Sequence, residues 1–266
     1  MKITVCIKQV PDTADIQWTE HNTLRRDGVE SILNPCDSYA VESALQIKDK
    51  NENTHITAIS MGPLQAEKTI REVIATGVDD GILLNDKFFA GSDTASTARV
   101  LAQAIRNKLS DTNLILCGQY ASDGDTAQTG PSLTENLGFG IVTNVIKIEN
   151  IEENSLTVIK QTEDGKEKIQ VFLPAVICLQ KGNFETRLPK ISGRIKAKNT
   201  QIPVYNAIDI DINAETTGFK GSPTHVKKAF KPEGRQNCQL ITDKNSSEIS
   251  DKILELLNGI KRAENE

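Results

Sequence analysis

Four short apolar runs, at residues 3–10, 55–61, 81–84 and 113–117, alternate with segments of helical periodicity, and this alternation constrains the fold most. Each run is apolar at successive positions, as strands covered on both faces must be. Between them, Asn34-Pro35 opens a helix with Val41, Ala44, Leu45 and Lys48 on one face. Gly62-Pro63 precedes a second helix with Ile70, Val73 and Ile74 inward and Gly77 as its C-cap. Asp93 or Ser92 caps a third, whose stripe is Ala98, Leu101, Ala102, Ile105 and Leu109. A fourth ends at Gly138. Strand–helix alternation with short connections predicts a doubly wound α/β sheet that is mainly parallel, with helices on both faces.

The pattern changes after Gly140. Residues 142–148 and 156–161 alternate apolar with polar, and "EDGK" at 163–166 signals a hairpin completed by 168–172. This reads as an antiparallel extension at the sheet edge, after which 175–179 return to a buried strand. Residues 182–245 carry few apolar side chains, and a long structureless stretch inside a compact domain is improbable. They are expected to pack on a partner chain. Ile249, Ile253, Leu256, Leu257 and Ile260 then form the stripe of a terminal helix. The expected organisation is an α/β domain over 1–182 and a C-terminal arm over 183–266.

Composition removes several classes. The net charge of -5 leaves no dominant basic stripe for nucleic acid. No apolar run approaches the ~20 residues of a membrane span. The N-terminus "MKITVCIKQV" lacks a secretory h-region, so a cytoplasmic location is expected. The five cysteines, Cys6, Cys36, Cys117, Cys178 and Cys238, form no CxxC, and no metal site is expected. Neither GxGxxG nor a P-loop occurs. His21, His55 and His225 have no neighbours that suggest a triad.

The chemistry-bearing segment is "NLILCGQYASDGDTAQTGPSLTENLG", residues 113–138. A buried strand ends at Gly118, a polar loop of small residues follows, and a helix begins. Open α/β sheets bind nucleotides at the carboxyl ends of their strands, and helix N-termini favour phosphate. The segment has no Lys or Arg, so backbone N–H groups and the neutral donors Thr126, Gln128 and Thr129 would hold the anion. Asp123 and Asp125 would repel a phosphate unless they cap helices, hold ribose hydroxyls or point away. Lys8 follows a strand and either faces the cleft or snorkels. "GSDT" at 91–94 is open to two readings, a second anion site or a plain N-cap.

Seven segments, in this order, carry a family resemblance: "VCIKQVPD", "NPCDSYAVESAL", "ISMGPLQAEKTIREVIATGVDDGILL", "GSDTASTARVLAQAI", "LILCGQYASDGDTAQTGP", "LPAVICL" and "RLPKISGRIKAK". Over roughly residues 1–200 the chain resembles the beta subunits of electron-transfer flavoproteins. The resemblance implies a heterodimer with an alpha subunit that holds one FAD. The beta subunit adds an adenine-nucleotide site in a flavodoxin-like α/β domain, occupied by AMP in simple carriers and by a second FAD, reduced by NADH, in the electron-bifurcating branch. The implied site uses Cys6 and Lys8, the loop at Asn34 and Asp37, the Met61-Gly62 turn and the Asp93-Thr94 pair. It continues through Gly118, Ser122, Asp123, Gly124, Asp125, Thr126, Gln128, Thr129 and Gly130. No residue is expected to be a catalytic acid or base, since the flavin carries the chemistry.

AMP-type subunits carry an acidic run followed by Cys-Asn at this loop, whereas the chain reads "DGDTAQTGP", which resembles the bifurcating or nitrogen-fixation-linked group. Gly124 removes a side chain and Thr126 adds a hydroxyl, so FAD is expected, with NAD as exchangeable substrate and AMP as the alternative. "QYASDG" and Cys36 depart from the common family pattern. "TRLPKISGRIKAK" resembles the family's recognition loop, with Ile191 as apolar anchor beside Lys190 and Arg194. The implied partners are the alpha subunit, an acyl-CoA or other flavin-dependent dehydrogenase, and ferredoxin. A nucleotide hydrolase of similar topology is the reading outside the family, and the lack of Lys or Arg in the loop counts against it.

Overall fold

The computed structural model describes residues 1–12, 31–182, 184–227 and 245–263, with side chains of the last segment through residue 257. His21, Cys238 and the Ile260 side chain lie outside the described residues. The first half runs β1 (Lys2–Cys6), β2 (Gln9–Pro11), β3 (Ser31–Leu33), α1 (Pro35–Lys50), β4 (His55–Met61), α2 (Glu67–Thr76), β5 (Asp80–Leu84), α3 (Thr94–Lys108) and β6 (Leu114–Gly118). Then come α4 (Thr129–Leu137), β7 (Gly140–Ile151), β8 (Ser155–Gln161), β9 (Lys166–Phe172), β10 (Ala175–Leu179), α5 (Ile191–Asn199), β11 (Val204–Tyr205), α6 (Gly218–Gly221) and α7 (Ser246–Ala263).

Nine strands form one sheet in the order β11-β5-β4-β1-β6-β10-β7-β8-β9. Every pairing from β11 to β7 is parallel, and β7, β8 and β9 are antiparallel. The expected doubly wound, mainly parallel sheet with an antiparallel edge hairpin is therefore what the chain forms. After β1 the chain builds outward through β4 and β5, then returns through α3 to place β6 on the other side of β1. That reversal opens a crevice between the carboxyl ends of β1 and β6, where open α/β sheets bind ligands.

Period-two alternation along the strands sorts their side chains onto two faces. Val5, Leu116 and Ile177 pack with Val41, Ala44, Ile70 and Val73 of α1 and α2. Cys6, Cys117 and Cys178 pack with Leu101, Ala102, Ile105 and Leu133 of α3 and α4. The predicted inward residues of α1, α2 and α3 are the buried ones, except that Leu109 and Lys48 are partly exposed. Gly77 adopts φ 133° as the C-cap of α2, a conformation that favours glycine.

Two features differ from the sequence expectation. The first strand does not continue to Val10. It ends at Cys6 because the Lys8 N–H donates to the Asp37 carboxylate at 2.7 Å instead of joining a strand ladder. Residues 9–11 then pair antiparallel with 31–33 in a separate ribbon. Among the described residues, the stretch after Lys181 is also not without regular structure. Helix α5 packs on α2, with Gly193 so close to Ala75 that a Cβ there would lie 2.1 Å from the Ala75 carbonyl oxygen. The Arg71 guanidinium donates to the carbonyls of Ala197, Lys198 and Thr200. Strand β11 extends the sheet through Leu83 N to Pro203 O and Asn85 N to Tyr205 O, at 2.9 and 3.0 Å. Ile202, Ala207 and Ile210 are buried.

Contacts divide the chain into Met1–Lys228 and Ala229–Glu266. Taken by itself, α7 presents Ile253, Leu254, Leu256 and Leu257 as exposed residues. Among the described residues no helix is long and apolar enough to cross a membrane.

Gly193→Ala tests the seating of α5. The added carbon meets backbone, which cannot rotate aside, so the substitution should cost about 1–3 kcal/mol. Urea unfolding of the purified protein checks this; an unchanged midpoint would show that α5 is not seated on α2.

Candidate functional site

The carboxyl edge of the sheet is organised by two residues at the start of α1. Asp37 is buried in the first turn, where one carboxylate oxygen accepts from Lys8 N at 2.7 Å and the other from Gly118 N at 3.1 Å. It therefore spans the crevice, tying the end of β1 to the end of β6. Gly118 has to be glycine, since a Cβ there would lie 2.3 Å from Asp37 Oδ1. Asn34, the N-cap of α1, makes no side-chain cap bond. Its amide instead donates to Tyr120 O at 2.8 Å and accepts from Ser122 N at 3.2 Å. The two side chains hold residues 118–122 in place, and all four of their polar atoms are engaged within the protein.

Beyond this clamp the loop is open. Ser122, Gly124, Asp125, Thr126 and Gln128 are exposed. A Cβ built on Gly124 meets nothing within 4 Å. Asp125 and Ala127 adopt φ of 49° and 55°, the left-handed region that L residues rarely enter. Gln128 is the N-cap of α4 and makes no side-chain cap bond, so the first N–H groups of the helix have no intrahelical partner. Among the described residues no hydrogen bond engages the side chains of Ser122, Asp125, Thr126, Gln128 or Thr129. Pro131 in the first turn removes a donor that would otherwise be orphaned.

The segment 113–138 has no cation of its own, but the fold supplies one. Lys8 Nζ donates to Asp123 Oδ1 at 2.6 Å, and the Asp123 side chain is 8% exposed. Lys8 thus reaches over the crevice onto the loop rather than into bulk solvent.

Beneath α4, Cys6, Cys117 and Cys178 lie in register on β1, β6 and β10. The Cys117 thiol donates to Cys178 Sγ at 3.5 Å. A Cβ at Gly130 would sit 2.2 Å from Cys178 Sγ. Small side chains in the strands and a glycine in the helix let the α4 N-terminus approach the sheet. The bond to Cys178 and burial both raise the Cys117 pKa, and burial raises that of Cys6. These thiols are packing residues rather than nucleophiles.

The remaining sequence candidates fall as follows. Met61 ends β4, and the Gly62 carbonyl accepts from Asn85 Nδ2 at 2.8 Å. Asp93 caps α3 through Ser96 N at 2.9 Å, and its other oxygen accepts from the N–H and hydroxyl of Thr224. Both Asp93 oxygens are thus engaged in the protein, and Thr94 begins α3 beside them. His55 starts β4 and lies 2.9 Å from Asp80, at the opposite edge of the sheet. That amino edge holds a cavity of about 290 Å³ lined by Thr4, His55, Asp80 and Thr112. His225 stacks on Phe219. Lys190 is the N-cap of α5, and Ile191, 82% exposed, is its first residue. Arg194 is exposed one turn on. Leu188, at 85%, is as exposed as Ile191; the sequence reading passed over it, although an apolar residue set before Pro189 in a polar stretch was the available signal.

Burial pushes the Asp37 carboxyl up to about 7, against the bonds from Asn34, Lys8 N and Gly118 N that lower it. The native state therefore holds this proton more tightly than the unfolded chain, and its stability contribution falls as pH rises from 3.8 to about 7. Asp37→Asn should remove that slope at the cost of one backbone acceptor. Relative to the parent, the variant should gain thermal stability as pH rises from 3.8 to about 7 and hold a constant difference above that. Melting temperatures across this range test it; parallel profiles would show that Asp37 does not titrate there.

Comparisons with known proteins agree with this geometry. The family model described as "Electron transfer flavoprotein domain" matches residues 22–210. The chain is 40% identical to an electron transfer flavoprotein subunit beta of Megasphaera elsdenii, covering 97% of this chain and 98% of that protein. It is 38% identical to caffeyl-CoA reductase-Etf complex subunit CarD of Acetobacterium woodii, covering 97% and 98%. It is 36% identical to acryloyl-CoA reductase electron transfer subunit gamma of Anaerotignum propionicum, again covering 97% and 98%. The chain with the carboxylate-clamped crevice belongs to the electron transfer flavoprotein family, among its beta subunits.

Proposed function

We propose that the chain is the beta subunit of a bifurcating electron-transfer flavoprotein and that the shelf formed by β1, the α1 N-terminus and loop 118–130 holds FAD. The observation that carries this is the pair of helix N-termini, on α1 and α4, that lack side-chain caps and flank the crevice from opposite faces of the sheet. A diphosphate offers charge to both dipoles. Thr126, Gln128 and Thr129 supply neutral donors, Lys8 supplies the nearby cation, and Gly124 leaves the approach open.

Bound there, the flavin would exchange hydride with NADH and divide the electrons between ferredoxin and the alpha-subunit FAD. The residues of this chain act by holding and orienting, and none is assigned proton transfer. The exposed shelf suits a site completed by the alpha subunit. Two relatives are named for caffeyl-CoA and acryloyl-CoA reductases, which supports a flavin-dependent dehydrogenase or reductase of CoA thioesters as the onward partner. Lys190, Ile191 and Arg194, with Leu188, would dock it. The alternative is a structural AMP at the same shelf, favoured by the short span of neutral donors at α4, with electrons relayed only through the alpha subunit.

Denaturing the purified heterodimer and counting released cofactors separates the two readings. FAD from both subunits, with NADH bleaching the flavin, is the expected result; AMP beside a lone FAD would leave only the relay. Gly124→Val should lower nucleotide content to a minor fraction while leaving the melting temperature of the emptied protein unchanged, since a Cβ at this exposed position has open space around it. Full retention would remove the loop from the site.

A further inference from the structure

The segment before α5 is fastened to α1 at two points. Phe184 meets Tyr39 edge-on, with ring centroids 5.6 Å apart. Arg187 binds Glu42 three times: its main-chain N–H and Nε donate to Oε2 at 3.1 and 3.0 Å, and Nη2 donates to Oε1 at 2.9 Å. Gln46 also donates to Oε1 at 3.3 Å. The Glu42 side chain is only 6% exposed, whereas Asp49, which takes the outer edge of the same guanidinium at 2.7 Å, is 59% exposed. A buried carboxylate that holds both the fork and the backbone of one residue fixes where the next residue points. The next residue is Leu188, and Ile191 follows three residues later as the first residue of α5, both exposed to solvent.

We propose that Glu42 is a positioning residue for the docking loop, its carboxylate fixing the main chain at Arg187 so that Leu188 and Ile191 are presented in one geometry. This rests on the docking role given above. Ordering a loop before contact reduces what association must spend on immobilising it. The exposed Asp49 pair is screened by water and contributes little, so the buried bond carries the effect.

The test uses the intact heterodimer, with a short-chain acyl-CoA dehydrogenase as the probe partner. Glu42→Gln keeps the side-chain shape but turns an N–H toward one of the Arg187 donors. Tryptic cleavage after Lys190 should accelerate about tenfold, and KM for the dehydrogenase should rise about tenfold with kcat and nucleotide content unchanged. Arg187→Lys, which keeps the charge and the main-chain bond but loses the fork, should give a smaller change in the same direction. Asp49→Asn should change neither readout by more than about twofold. Unchanged cleavage in both Glu42→Gln and Arg187→Lys would overturn the positioning role. Faster cleavage with unchanged KM would uphold it and overturn the docking reading instead.

Discussion

The carboxylate of Asp37 sets the architecture of the carboxyl edge. A parallel sheet leaves the last N–H of each strand to find a partner beyond the ladder, and a buried donor left alone is costly. Here one side chain, rooted in the first turn of α1, satisfies Lys8 N and Gly118 N together. This stops β1 at Cys6, forces glycine at 118, and fixes the distance across the β1/β6 crevice. Asn34 continues the same work by holding Tyr120 O and Ser122 N rather than capping its own helix. The N-terminus of α1 is left free of a side-chain cap because its capping residue is employed in shaping the loop.

Helix α1 is consequently a shared brace. Its first turn holds residues 118–122 of the loop after β6, and Glu42, less than two turns on, holds the segment before α5. Both loops are polar and short of apolar contacts, so neither could order itself. Anchoring by buried carboxylates costs desolvation, which the donors at Asp37 offset only in part. The two clamps differ in consequence. Asp37 accepts from backbone donors and is pushed up to about 7 by burial. Glu42 faces a guanidinium, whose pKa the ion pair raises further.

The sheet and its helices were legible because burial writes periodicity into the chain: α2 with Ile70, Val73 and Ile74, and β10 with its unbroken apolar run, could be read directly. What stayed hidden was held by polar contacts between residues remote in sequence. Lys8 and Asp123 are 115 residues apart, and Glu42 and Arg187 are 145 apart. No local pattern marks either pair. The same holds for α5 and β11, which few apolar residues cover and which Arg71 and backbone bonds secure instead. The candidate loop was legible as a loop, whereas Asn34 and Asp37, expected as ligand contacts, have their polar atoms engaged by the protein.

This changes the electrostatic argument about the loop. Read as sequence, "DGD" with no neighbouring cation sets two carboxylates against any phosphate. In the fold, Asp123 is turned inward and neutralised by Lys8 at 2.6 Å. Asp37 is buried, and its shifted titration reduces its charge near neutral pH. Asp125 alone stands exposed and unbonded, in a left-handed conformation that leaves Thr126 and the start of α4 beside it. An anion approaching the crevice thus meets two helix N-termini, a run of hydroxyl and amide donors and one lysine already in place. Asp123 and Asp37 shape that approach with little charge of their own to add, and the backbone dipoles are set against the single exposed carboxylate of Asp125.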